Sequence, residues 1–405
     1  MKRKCFLLLF LLGIMGCSAF DDQTLDNPCQ PLTLTTKQCE YNAAGHAFDF
    51  NLIKRTDKHL QGDWLISPLS MQCLLGILLN GAQGETARQI CETLGYGSQE
   101  RNLVNAYFQS MLRQLPALDK ASKLNLANAM FARYDIPIKE SFKGTAQNYY
   151  QATIANINQA EDWAKTINGW CTINTNGLIT HIVDHESNAD VIVLNALYFK
   201  SSWSNSFPKS QTEEEIFTAE SGTTRKLAMM KNSGDGKGLL YGEHESFQLL
   251  RLPYGNGAFA MYVLLPKDKK SIHSIIDELD YSAWVQVCSS MYCPGMIDIW
   301  LPRFKRSGDK EVVFNDILSE MGMPLIFGNG DFTLISEELK SFSRIQQNTA
   351  IVVTEEGTEA AAVTQAVGLG LSGSVFFHAD HPFLYLICEA STGSVLFAGC
   401  FTGEE

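Results

Sequence analysis

TEEGTEAAAVTQAVGLGLSGSVFFHADHPF, residues 354–383, contains twenty consecutive positions, 355–374, whose only charges are Glu355, Glu356 and Glu359. Laid out as a β-strand, residues 358–369 divide by parity. One face carries Thr358, Ala360, Ala362, Thr364, Ala366 and Gly368, all small and uncharged. The other carries Glu359, Ala361, Val363, Gln365, Val367 and Leu369. The small face can lie against a packed interior where nothing large fits, so the segment can be a central strand. It can also be a loop, because Gly357, Gly368, Gly370 and Gly373 free the backbone and nothing large ties it down. An alanine-rich helix over TEAAAVTQAV is the third option, though no apolar stripe would hold it. Strand and loop are both permitted, and the rest of the chain has to say which fold could use both.

Upstream, Ala44, Phe48 and Leu52 recur at i, i+4, i+8 and predict an amphipathic helix. In ISPLSMQCLLGILLNGAQ, Ser67 can cap and Pro68 suits the first helical position, and the apolar run Leu69 to Leu79 predicts a helix buried on all sides. Further helical patterns cover about 85–94, 102–115 and 160–175, the last with Trp163, Ile167 and Trp170 on one face before Asn176-Gly177. From about 190 the period changes. VIVLNALYF, FQLLRLPY, AFAMYVLLP, MIDIWLP, TAIVVT, FLYLICEA and SVLFAGC are β-branched or aromatic runs of strand length. Helices early and strands late, without strict alternation, predict an α+β fold. No internal repeat and no linker divides 41–402, so one domain is expected there.

Motifs for catalysis are poor. GLSGS at 370–374 lacks the closing glycine of a nucleophile elbow and the strand-to-helix change around it. HESNAD at 185–190 lacks the second histidine of a zinc protease helix, and Gly236-Lys237-Gly238 lacks the upstream glycine of a phosphate loop. No metal and no cofactor is expected. The formal charge of -12 becomes about -15 if Lys2, Arg3 and Lys4 are removed with a leader, 29 basic against 44 acidic side chains, which argues against nucleic acid as a partner.

The N-terminus, MKRKCFLLLFLLGIMGCSAF, is a basic tip followed by an apolar run too short for an ordinary membrane span, and reads as an export signal. Ile14-Met15-Gly16-Cys17 resembles the bacterial lipoprotein cleavage box, in which Cys17 becomes the lipid-modified first residue; the alternative is an ordinary signal peptide followed by an unrelated cysteine. Lipidation would anchor the chain without a spanning helix. The division is then 1–16 signal peptide, 17–40 lipidated cysteine and polar tether, and 41–402 globule. Ser18 does not resemble the inner-membrane retention aspartate of some bacteria, and Asp21-Asp22 weakly resemble surface-export signals, so the outer membrane or cell surface is the expected location. Eleven cysteines less Cys5 and Cys17 leave nine, an odd number that excludes a complete disulfide framework. Cys288 and Cys293 are close enough in sequence to pair, as are Cys29 and Cys39, while Cys73, Cys388 and Cys400 read as buried thiols.

Glu355-Glu356-Gly357-Thr358-Glu359-Ala360-Ala361-Ala362 resembles the hinge of the serpins, serine protease inhibitors of one large α+β fold. ISPLS (66–70), TINGWCTINTNGLI (166–179), VLNALYFKSSW (193–203), LAMMK (227–231), LPRFK (301–305), FHADHPFLYLI (377–387) and TGSVLFAG (392–399) resemble serpin signatures in serpin order. The resemblance implies a single domain with a helix-rich N-terminal half, several β-sheets and a reactive loop at about 355–376. It implies bait and trap: a protease cleaves the loop, forming an acyl-enzyme, and the loop then inserts into the central sheet as a new strand. Counting seventeen residues inclusive from Glu355 places the reactive bond at Leu371-Ser372, with Leu369-Gly370 or Gly370-Leu371 as other registers. Leucine suits a hydrophobic primary pocket, so chymotrypsin-like or elastase-like proteases are the expected partners in a 1:1 covalent complex.

The resemblance also assigns Ser67, Ser70 and Asn195 to a shutter beneath the sheet, with Gln347 where many serpins have histidine, and places Trp203 near the start of insertion. A monomer is expected. Heparin activation is not, since 99–125 offers only Arg101, Arg113, Lys120 and Lys123. The alternative within the same fold is a non-inhibitory carrier, storage or chaperone-like protein. Members of that kind usually carry charged, bulky or Pro residues in the hinge, whereas the face of this hinge that would turn inward holds only Thr358, Ala360 and Ala362.

Overall fold

The computed structural model describes residues 26–97, 100–158, 162–183, 189–268, 270–306, 311–358 and 375–404. The lipidation candidate Cys17, hinge residues Glu359, Ala360, Ala361 and Ala362, and the reactive-bond residues Leu371 and Ser372 lie outside the described residues.

The helix Pro68–Gly81 forms as its sequence predicts. Ser67 is extended, its Oγ accepts from the Ser70 amide, and Pro68 fills the first turn. All but one of its residues are buried, Asn80 being the exception. Gly76 makes that burial possible, because a Cβ there would stand 2.8 Å from the Tyr150 hydroxyl and 2.9 Å from the Phe108 ring. Around this helix lie Thr36–His59, Gly84–Leu94, Arg101–Gln114 and Glu140–Tyr150, packed into one large core shared with the sheets.

Three sheets complete the molecule. The six-stranded sheet runs in the order Trp64–Ile66, Val395–Phe401, Phe383–Glu389, Phe259–Pro266, Phe247–Tyr254 and Leu240–Glu243. Its middle strands are buried on both faces and read accordingly as continuous apolar runs. A four-stranded sheet orders Val375–His378, Ile297–Pro302, Thr224–Gly234 and Glu213–Thr218. The largest sheet is built on Val191–Ser202. This strand pairs antiparallel with Lys123–Arg133 on one side and parallel with Arg344–Thr349 on the other, register Ile192 to Arg344 through Leu197 to Thr349.

Two expectations change. The polar tether does not extend to residue 40: the first helix begins at Thr36, with Thr35 and Gln38 forming a reciprocal capping box. The preceding residues are also bound to the body. Asn27 donates to Asp119 at 2.6 Å, the Leu32 amide to Ser391 at 3.0 Å, and Thr33 exchanges two bonds with Gln114. Polar composition read as solvated, whereas these backbone groups find fixed partners. Cys29, Cys288 and Cys293 are free thiols, so neither Cys288–Cys293 nor Cys29–Cys39 is bridged. Cys288 is buried in the Tyr281–Ser289 helix, while Cys293 is exposed, its sulfur 3.4 Å from the Gly236 carbonyl.

Candidate functional site

The strand Arg344–Thr349 continues into Ile351–Thr354, turns at Glu355-Glu356 and doubles back as the short strand Gly357–Thr358. That strand pairs antiparallel with its own approach, Val353 to Thr358, and antiparallel with the central strand, Gly357 to Ser202 and Thr358 to Ser201. Residues 192–197 and 344–349 touch directly. Beyond them the two strands part, and Gly357–Thr358 occupies the opening.

Only glycine fits at its first position. Gly357 has φ of 141°, and a Cβ there would stand 2.2 Å from the Ser201 carbonyl and 2.6 Å from the Ser202 Cα. Thr358 is buried and its hydroxyl bonds the Tyr254 hydroxyl at 2.8 Å. Burial pushes the Tyr254 phenol up, against a smaller opposing effect of the Thr358 bond, so the phenol stays neutral. Trp203 stacks on Tyr254 with ring centroids 4.3 Å apart and planes 12° from parallel. Its indole N–H donates to the Thr354 carbonyl at 2.9 Å and its amide to the Glu356 carbonyl at 2.9 Å.

The two hinge glutamates are held by cations and amides. Glu355 is buried, and its carboxylate accepts from Arg303 at 2.6 Å and Thr212 at 2.8 Å. Burial would raise its pKa. A backbone amide, the Thr212 hydroxyl and the Arg303 guanidinium together outweigh that and hold the carboxyl below its ordinary range. The Phe207 amide donates to the Glu355 carbonyl at 2.8 Å, and Glu356 pairs with Lys209. Sequence reading found Trp203 but missed Arg303, Thr212, Lys209, Phe207 and Tyr254. Arg303 stood inside the LPRFK signature, yet nothing local in that motif points toward Glu355, which lies 52 residues away.

Deeper under the same sheet, the structure brings Ser67, Ser70, Asn195 and Gln347 together, all buried. The Gln347 side chain accepts from the Ser67 amide at 2.5 Å and donates to the Ser67 carbonyl at 3.0 Å and to Asn195 Oδ1 at 2.8 Å. Asn195 donates onward to the Ala127 carbonyl and to Asn128 Oδ1, at 3.1 and 3.0 Å. Ser67 Oγ accepts from the Ser70 amide, while the Ser70 hydroxyl has no hydrogen-bond partner among the described residues. One amide therefore ties the start of the buried helix to the strands Val191–Ser202 and Arg344–Thr349, and Asn195 extends the network to Lys123–Arg133. Trp203 is not part of this cluster and belongs to the hinge. Among the described residues no group of three or more His, Cys, Asp or Glu is placed to hold a metal ion.

This arrangement defines a protein whose main sheet is parted at one end by a two-residue strand that leads into a long, light segment. The chain belongs to the serpin family: the family profile "Serpin (serine protease inhibitor)" matches residues 43–403. Among curated relatives it is similar to Serpin B6 of Pongo abelii, 30% identical over 371 residues, covering 89% of this chain and 98% of that protein. Among solved structures it is similar to the thermophilic serpin tengpin in the native state, with TM-score 0.81, 26% identity and coverage of 93% and 96%. The fold is also shared with human thyroxine-binding globulin complexed with thyroxine, TM-score 0.81 at 23% identity, covering 90% and 98%.

Proposed function

We propose that this chain is an inhibitory serpin that traps chymotrypsin-like or elastase-like serine proteases after cleavage near Leu371-Ser372. The observation that carries this reading is the opening at Gly357–Thr358. The strands Val191–Ser202 and Arg344–Thr349 run parallel to each other, so a strand continuing inward from Thr358 is antiparallel to both. Insertion replaces one slanted parallel interface by two antiparallel ones and adds on the order of ten backbone hydrogen bonds, each about 1 kcal/mol net. The residues that follow Thr358 inward, Ala360, Ala362 and Thr364 by parity, are small enough to enter without displacing the core beneath.

The chemistry belongs to the protease. Its serine oxygen attacks the Leu371 carbonyl carbon, the Leu371–Ser372 C–N bond breaks, and the Ser372 amine leaves with the proton delivered by the protease histidine. Leu371 is then an ester on the protease. Insertion of 358–369 carries that ester away from the leaving group and distorts the protease before water can hydrolyse it. Mixing the protein with pancreatic chymotrypsin or elastase is expected to give a 1:1 complex that survives denaturing electrophoresis, and mass spectrometry of the released peptide should begin at Ser372. Cleavage of the loop by every serine protease tried, with no stable complex, would leave a non-inhibitory serpin.

The same proposal places the protein on a bacterial envelope, held by a diacylglyceryl group on Cys17 and exposed at the outer membrane or cell surface. What supports it is the basic tip, short apolar run and Gly16-Cys17 junction. In cells expressing the chain, globomycin is expected to accumulate a precursor larger by residues 1–16; an unchanged band pattern would count against lipidation.

A further inference from the structure

The first described residues, Asp26 and Asn27, are seated at one end of the largest sheet. Asn27 donates to Asp119 at 2.6 Å and accepts from the Lys120 amide at 3.1 Å, and the Lys120 ammonium bonds the Asp26 carbonyl at 2.7 Å. Asp119 is fully buried and accepts from the Ser122 hydroxyl at 2.6 Å. The Ser122 hydroxyl also bonds the Ser201 hydroxyl, at 2.7 Å, and Ser201 is the residue that pairs with Thr358. Two side chains, Asp119 and Ser122, therefore separate this N-terminal strap from the central strand at the point where the reactive loop departs.

The seat is firm. These bonds, about 1 kcal/mol each, are joined by Leu32, which is buried in the core with its amide on Ser391. A pull from upstream of Asp26 is thus taken up by the body at this end. The strand Val191–Ser202 supplies an axis along which to place the other end. Its 12 residues rise by about 36 Å. Ser201 lies at the strap end. At the opposite end Val191 pairs with Ala132 and the Arg133 amide bonds the Asp190 carbonyl, beside the exposed Tyr134.

We infer that the protein presents its reactive-loop end to the membrane that anchors it, so that the proteases it traps are those working at that surface. The inference rests on the lipid-anchor reading above and names what that reading leaves open, which end of the body faces the bilayer. Reach decides it. Asp26 is nine residue steps from Cys17, and nine steps span at most about 32 Å however they are arranged. The Tyr134 end lies about 36 Å beyond the strap end. Charge opposes a body lying flat, because a mature chain of about -15 is repelled by anionic headgroups and only the lipid draws it in. The loop leaves the body at the near end, so an enzyme moving along the envelope meets the bait more readily than one diffusing far from it.

The test is energy transfer from a dye on the body to acceptor lipids, with the full lipidated chain in vesicles of phosphatidylcholine and phosphatidylglycerol. The donor is coupled to p-azidophenylalanine placed either at Ser204, exposed beside Trp203 at the loop end, or at Tyr134 at the far end. Transfer to a plane of acceptors falls with the fourth power of height, so the rate from Ser204 is expected to exceed that from Tyr134 by at least about threefold. A smaller ratio, or an inverted one, overturns the inference. Inserting about thirty Gly/Ser residues after Asp22 adds roughly 30 Å of flexible chain and should bring the two rates toward equality. A ratio unmoved by the insertion overturns it as well, since contacts of the body with lipid, and not the seat of Asn27, would then set the orientation. A chain that does not float with the vesicles and shows no transfer from either position overturns the lipid-anchor reading itself, so the two failures are told apart.

Discussion

Thr358→Arg is expected to turn the inhibitor into a substrate. The loop should still be cleaved at its normal rate, but the protease should emerge active, with the stoichiometry of inhibition rising above about ten and the stable complex disappearing from denaturing gels. Thr358 is already inside the sheet, buried between Ser201 and Val353 with its hydroxyl on Tyr254. No carboxylate is described against that hydroxyl, so a guanidinium would enter unpaired. An uncompensated buried charge costs several kcal/mol. If only about 3 kcal/mol of that appears in the barrier to insertion, the step slows more than a hundredfold, enough to lose the race with hydrolysis of the acyl-enzyme. Thr358→Val keeps the volume but strips the bond from the buried Tyr254 hydroxyl, so it should cost about 1–3 kcal/mol of stability while leaving complex formation in place. A full yield of complex from Thr358→Arg would show that an unpaired charge at the start of the inserting strand does not slow insertion.

How much of this was legible in the sequence depends on what kind of signal each element leaves. Phe259–Pro266 is a continuous apolar run and Phe247–Tyr254 one broken only by Gln248 and Arg251, and their bounds fall within a residue of the pattern. The helix Pro68–Gly81 announces itself by cap, proline and apolar run. By contrast Arg344–Thr349 reads RIQQNT, a polar sequence that no periodicity marks as a strand, yet all but Arg344 are buried because Gln346, Gln347 and Asn348 bond one another or the network below. Lys123–Arg133 is hidden for the same reason, its buried Asn128 accepting through Oδ1 from Asn195 across the pair. Polar residues placed inside a sheet imitate a loop in sequence and can be recognised only when their partners are known. The hinge was found through its small residues, while the cations and rings that grip it come from distant segments and left no local trace.

Gln347 concentrates that hidden polarity, and its replacement should have the second large effect. Gln347→Ala strips the partner from the Ser67 amide and from Asn195 Oδ1, both buried, while the Ser67 carbonyl keeps the Met71 amide. At about 1–3 kcal/mol for each unsatisfied group, and with water recovering part of it, a net loss near 3 kcal/mol is expected. For a domain of this size, whose unfolding entropy is roughly 0.8 kcal/mol/K, the melting temperature falls by about 4 °C. Since these bonds hold the central pair of strands to the buried helix, the sheet should also part more readily, and heating should yield more self-associated protein than the parent.

Gln347→Glu sharpens the test because it keeps the shape and changes only the donor. An ionised carboxylate can still accept from the Ser67 amide, but its other oxygen would face the Ser67 carbonyl and Asn195 Oδ1 with no proton to offer. Burial and these two acceptors raise the folded-state pKa above the unfolded value of about 4.3. The folded state then binds more protons than the unfolded one, so stability is complete below pH 4 and is lost as pH rises toward the raised value. The melting-temperature difference between Gln347→Glu and the parent should therefore be small near pH 4 and widen toward neutrality. The opposite slope would mean that Gln347 does not donate to these two oxygens.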